Sequence, residues 1–330
     1  LLFWAAAESG HAGVAEELMI RGANPNDGES VYHAAEHNRR DILEILLHHG
    51  ADLSGADKTW GNTQLTFLCN YRDAESQSVE SQLGIEWLLT HSADPNVPKP
   101  EDGENALHVA CRRGRNRELI EMLLRHGADP NHPRSDGKTP FQLASIAGAT
   151  GAMEALRLSG AASDIAGDDA FLSACAVNDR EVIQAAMAND PGVLERTEER
   201  AKELAIQFAE QGVASGLEGL FTAGYPFMNE YREGMTPLHF SSFVGSLPCV
   251  RLLLDHGMSS FIRDDEHHST PFGWAVYASV WNRNPTGDYP GVVSALLEAG
   301  TPRENVVAEL DFAEVPEDVK EVIREYLASN

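Results

Sequence analysis

The chain has 330 residues, 42% of them hydrophobic and 23% charged, with 16 prolines. That balance excludes wholesale disorder and leaves two or three ordinary domains or one long repetitive array. Its 25 Lys plus Arg against 51 Asp plus Glu leave a formal charge of −26, which argues against nucleic-acid binding and against docking on anionic lipid. No apolar run reaches the ~18 residues that a membrane-spanning helix needs. The opening Leu1-Leu2-Phe3-Trp4-Ala5-Ala6-Ala7 is short for a secretion signal and lacks the basic flank. The four cysteines, Cys69, Cys111, Cys175 and Cys249, form no C-x-x-C pair. Each falls in an apolar helical stretch, so buried free thiols in a reducing compartment, and a cytoplasmic location, are expected.

Taken in chain order, one phrase keeps returning, of the type L-L-x-x-G-A-x-x-N. It runs from Leu18-Met19 to Gly22-Ala23-Asn24-Pro25-Asn26, and from Leu46-Leu47 to Gly50-Ala51-Asp52. It returns from Leu88-Leu89 to Ser92-Ala93-Asp94-Pro95-Asn96, and from Leu123-Leu124 to Gly127-Ala128-Asp129-Pro130-Asn131. Eroded copies surround Gly160, Gly224, Gly257 and Gly300, with one degenerate copy at 169–190. A second phrase precedes the first: Asn105-Ala106-Leu107-His108, Lys138-Thr139-Pro140-Phe141, Thr236-Pro237-Leu238-His239 and Ser269-Thr270-Pro271-Phe272.

Each pair of phrases predicts two helices. The Thr236 hydroxyl can cap the free amides of the first, and Pro237 then sits at its first position, where a missing N–H costs nothing. Ala34-Ala35 and Ala144-Ser145 put small side chains on that helix, so a neighbour can approach. Ile42-Leu43 with Ile45-Leu46-Leu47 forms the apolar stripe of the second, which ends at Gly50 or Gly127 where a left-handed residue is wanted. No helix pair buries its stripe alone, so stacking must supply the core. Near the end, Val319, Val322, Ile323, Tyr326 and Leu327 follow helical spacing behind Pro316, which predicts a closing helix.

This pairing, at a period of about 33 residues, resembles the ankyrin repeat. The resemblance implies an all-α fold, an α-solenoid of about nine stacked helix-turn-helix repeats with short hairpin-like loops. Nine copies are expected, at 1–26, 27–54, 55–96, 97–131, 132–163, 164–194, 195–229, 230–260 and 261–301, with a helical cap at 302–330. Leu1 aligns with the threonine slot, so the reading starts the chain inside a repeat.

In proteins of this family, partners dock along a concave groove, using hairpin tips and two variable positions before the glycine of the first helix. By resemblance those positions include Glu36 and His37, Asn70 and Tyr71, Arg112 and Arg113, Phe243 and Val244, then Tyr277 and Ala278. Trp60, beside Gly61 at an expected hairpin tip, is a further candidate. Two insertions depart from the pattern, around 72–82 and 281–290; aromatic Trp281 and Tyr289 make the second the better contact surface. His268 stands where the family usually has a turn glycine. The run Arg112-Arg113-Gly114-Arg115-Asn116-Arg117 is the one dense basic island, with two readings: a solvated face paired to nearby carboxylates, or a guanidinium clamp for a carboxylate or phosphate.

Catalysis is not expected. Histidines fall in repeat slots, among them His33, His108 and His239, and the pairs His48-His49 and His267-His268 lack a ligand frame. No H-E-x-x-H, G-x-S-x-G, P-loop or G-x-G-x-x-G occurs in the context each requires. No metal or cofactor site is expected. The function expected is a monomeric, non-catalytic scaffold for a protein partner, or alternatively the targeting arm of a larger enzyme.

Overall fold

The computed structural model describes residues 2, 5, 11–57, 61–70, 79–225, 234–310 and 314–329. Every regular element among them is helical, and no strand occurs in the described residues. The chain divides into two compact units, Leu1–Ser145 with Ala149–Asp164, and Ile146–Gly148 with Ile165–Asn330.

In the first unit the helices are α1 (Ala12–Ile20), α2 (Ser30–Glu36), α3 (Arg40–His48), α4 (Gln64–Asn70), α5 (Val79–Thr90), α6 (Ala106–Arg112), α7 (Arg117–Arg125), α8 (Pro140–Ile146, whose last residue belongs to the second unit) and α9 (Thr150–Leu158). First helices stack on first helices, α2 on α4 on α6, while second helices form their own row, α5 on α7 on α9. The 3.6-residue period explains why: Ile42, Leu43 and Leu46 on α3, and Leu119, Ile120 and Leu123 on α7, share one face of each helix and are fully buried.

The second unit contains α10 (Gly167–Ala176), α11 (Arg180–Asn189), α12 (Val193–Gln211), α13 (Ala214–Ala223), α14 (Pro237–Phe243), α15 (Leu247–Asp255), α16 (Pro271–Trp281), α17 (Tyr289–Glu298), α18 (Arg303–Leu310) and α19 (Glu317–Ser329). The same two rows recur, α10–α12–α14–α16 and α11–α13–α15–α17–α19. Their core is Leu172, Phe208, Leu238, Leu253 and Val293, with Val319 and Ile323 of α19 buried in the same cluster. Helix α12 reaches 19 residues because α11 passes into it through Asp190-Pro191-Gly192, with no hairpin between them.

Polar side chains join successive repeats at fixed positions. In the first unit the asparagine of the G-A-x-x-N phrase reads the next turn with both ends of its amide. Asn96 Nδ2 donates to the Gly127 carbonyl and its Oδ1 accepts from the Asp129 N–H, each at 2.8 Å. Asn26 does the same to Gly50 and Asp52, and Asn131 to Gly160 and Ala162. The histidine of the second phrase does equivalent work. His108 Nε2 donates to the His132 carbonyl at 2.9 Å and His239 Nε2 to the Ser269 carbonyl at 3.3 Å. A carbonyl can only accept, so both rings carry their proton on Nε2. His239 Nδ1 is left to accept the Thr236 N–H at 3.1 Å and lies 2.9 Å from the Thr236 hydroxyl, closing a capping box. Burial drives both imidazoles toward the neutral form, His108 to about 4.

Two glycines set the closest helix approaches. A Cβ at Gly84 would overlap the Ala35 carbonyl oxygen, and one at Gly219 the Cys175 carbonyl oxygen. His268 adopts φ +52° in the glycine slot. Buried Asp264 shapes that turn by accepting N–H bonds from His267 and Ser269 and the Trp274 indole N–H at 3.0 Å. All four cysteines are buried free thiols.

Candidate protein-interaction surface

The basic island is the first candidate, and its side chains are engaged within the first unit. Arg112 lays its fork on Glu104, Nε to Oε1 and Nη2 to Oε2, both at 2.8 Å. Arg134 donates to the same carboxylate at 2.7 Å. Glu104 is 1% exposed. Burial alone would raise its pKa, but the two guanidiniums overcome that and hold it below the ordinary glutamate range. Arg113 donates to Asn70 Oδ1 at 2.8 Å, buried Arg115 to the Leu68 carbonyl at 3.1 Å, and Arg117 to Glu121 at 2.6 Å. A ligand anion would therefore have to displace Glu104 from Arg112.

In the second unit the row of candidate residues splits. Phe243, at the end of α14, is half-buried with its ring edge-on to Trp274 of the next repeat, 5.7 Å between centroids. Val244 is also half-buried, and its carbonyl accepts from Asn284 Nδ2 at 3.0 Å. Tyr277 and Trp281 differ. They lie one helical turn apart on α16 and are 58% and 60% exposed. Trp60 and Tyr71 lie outside the described residues, as do residues 72–78 of the first insertion.

The second insertion is folded back. Tyr289 is fully buried and donates its hydroxyl to the Phe243 carbonyl at 2.9 Å, while the Asp288 N–H donates to the Gly245 carbonyl at 2.9 Å. Its two aromatics thus have opposite fates: Tyr289 anchors the loop and Trp281 faces solvent. Phe261, not singled out from the sequence, is 50% exposed. It stands where the repeat phrase has asparagine, and its ring lies beside Gly300 of the following turn. That substitution of an aromatic for the turn-reading asparagine is the signal that could have found it.

Comparison with known proteins adds the family. The model for Ankyrin repeats (3 copies) matches residues 76–166, and that for Ankyrin repeat matches residues 233–265. The chain is similar to "Ankyrin repeat and SOCS box protein 6" of Pongo abelii, 33% identical over 109 residues. That match covers 31% of this chain and 24% of the relative, so the chain spans about a quarter of the relative's length. Ankyrin repeats are generally protein–protein interaction modules without catalytic activity. No helix among the described residues is long and apolar enough to cross a membrane. With helix pairs stacked in two rows and repeat phrases recurring along them, the chain carries ankyrin repeats at residues 76–166 and 233–265.

Proposed function

We propose that this chain is a non-catalytic scaffold that binds a protein partner through the exposed aromatic end of α16. The observation that carries this is the Tyr277–Trp281 pair, two large aromatic side chains left more than half exposed on one helix face. Aromatic anchors dominate interface energetics because they bury much area at little entropic cost. Phe243 and Val244 support the pair from the preceding repeat. Arg112 and Arg113 are reserved for holding Glu104 and Asn70 in place. The charge of −26 favours a partner with a basic rim and repels nucleic acid. The nine-repeat division with a cap at 302–330 belongs to the same proposal, and the helix pairs of both units support it.

The test compares the parent with Tyr277→Ala/Trp281→Ala as baits in a lysate of the source organism, with bound proteins quantified by mass spectrometry. A specific set retained by the parent and lost from the double variant, at unchanged helicity, is expected. Identical capture by both baits would remove α16 from the interface.

A further inference from the structure

The structure assigns a divalent transition-metal site, of the Zn2+ class, to His33, Glu36 and His37 at the C-terminal end of α2. The three residues occupy positions i, i+3 and i+4, so the helix itself aims them at one point. Glu36 Oε2 lies 3.0 Å from His33 Nδ1 and 3.8 Å from His37 Nε2. All three ligand atoms fall within 4.8 Å of one another. Metal–nitrogen bonds of about 2.0–2.1 Å at tetrahedral angles place donor atoms about 3.3 Å apart. The separations of 3.0 and 3.8 Å lie on either side of that spacing, and the His37 side chain is 41% exposed.

Electrostatics point the same way. The Glu36 side chain is only 8% exposed, and its carboxylate faces two imidazoles, with no Lys or Arg partner among the described residues. A buried carboxylate needs a countercharge or a coordinated cation. Two imidazoles supply charge only when protonated, whereas a divalent cation supplies it and takes imidazole nitrogens as ligands. Two imidazoles and one carboxylate suit zinc and its neighbours; Mg2+ and Ca2+ prefer all-oxygen shells and soft ions prefer thiolates. Three protein ligands leave the remaining position for water or for a donor from outside the chain. His33 sits in the slot where His108 and His239 bond a neighbouring carbonyl, and its Nδ1 meets the carboxylate of Glu36 at 3.0 Å.

The experiment is calorimetric titration of ZnCl2 into the full chain after chelator treatment, comparing the parent with His37→Ala, Glu36→Gln and His48→Ala. The exposed His37 and His48 side chains allow substitution without disturbing the core, and circular dichroism checks the fold. The expected result is a tight site weakened at least ~100-fold by His37→Ala and by Glu36→Gln, beyond the 10–100-fold typical of outer-shell changes, and unaltered by His48→Ala. Cobalt loading should give a d–d absorption spectrum that His37→Ala abolishes. Equal zinc affinity in the parent and His37→Ala, or no zinc uptake by the folded parent, would overturn the assignment.

Discussion

Replacing Glu104 by Gln tests whether the arginine island is joinery. The wild-type carboxylate receives three charge-assisted hydrogen bonds at 2.7–2.8 Å, two from Arg112 and one from Arg134. Removing one partner of a buried ion pair costs about 3–5 kcal/mol. Two features reduce that. The Arg112 and Arg134 side chains keep 30% and 18% of their exposure, so water can solvate them once released. Glutamine also retains one acceptor oxygen. The expected destabilisation is therefore about 2–3 kcal/mol, read from the urea midpoint at pH 7. The sign with pH is equally specific. Because the folded pKa of Glu104 is depressed, its contribution is present above the ordinary glutamate value of about 4.3 and is lost as pH falls through the lower folded value. The gap between wild type and Glu104→Gln must narrow on acidification from pH 5 to 3. A gap below 1 kcal/mol at pH 7, or one that stays constant with pH, would refute the reasoning.

Leu123→Ala deletes a fully buried side chain from the row of second helices and should cost roughly 2–5 kcal/mol in an equilibrium melt; less than 1 kcal/mol would contradict its place in the core. His108 holds its ring neutral down to about pH 4, so its contribution is complete above the ordinary histidine value of about 6.5 and declines as pH falls toward 4, by about 3 kcal/mol in all. An NMR titration of its ring proton with a midpoint near 6.5 would refute this. Burial pushes the thiols up, Cys69 to about 11 and Cys175 to about 12, so the folded protein should leave an aromatic disulfide reagent unreacted until denaturant is added. Rapid labelling of any of the four in the native state would show that the helix rows open.

The fold was legible because its joints are chemical and repeat. An asparagine that reads a turn, a glycine that ends a helix and a histidine that reaches a neighbouring carbonyl each need one residue type at one offset, so Asn96, Gly127 and His108 stand out by position alone. The length of α12 was not legible. The seventh copy has lost the phrase that would mark its hairpin, and nothing in a run of Glu, Arg, Lys and Ala distinguishes one long helix from a turn followed by a short one. The partner of Arg112 was hidden for a related reason. Glu118 is its nearer acidic neighbour along the chain, but the carboxylate that receives it is Glu104, one residue before the N-cap of the same helix.

The candidate site was legible only as a row of equivalent positions. Phe243 and Tyr277 occupy the same slot by resemblance, and what separates them is a third residue: Trp274 gives Phe243 a surface to lean on, while Tyr277 lies more than half exposed. Tertiary neighbours, not residue type, decided which aromatic stayed exposed. The histidines separate in the same way. His108 and His239 reach carbonyls of the next hairpin, while His33 in the same slot faces the carboxylate of Glu36, which also lies beside His37. In a stack held by repeated polar joints, most hydrogen-bonding groups at repeating positions are consumed in joining neighbours. Chemistry directed outward must then come from positions where the repeat is broken, as at Trp281 beyond the expected end of its helix, or where a repeat residue meets a buried carboxylate, as His33 meets Glu36.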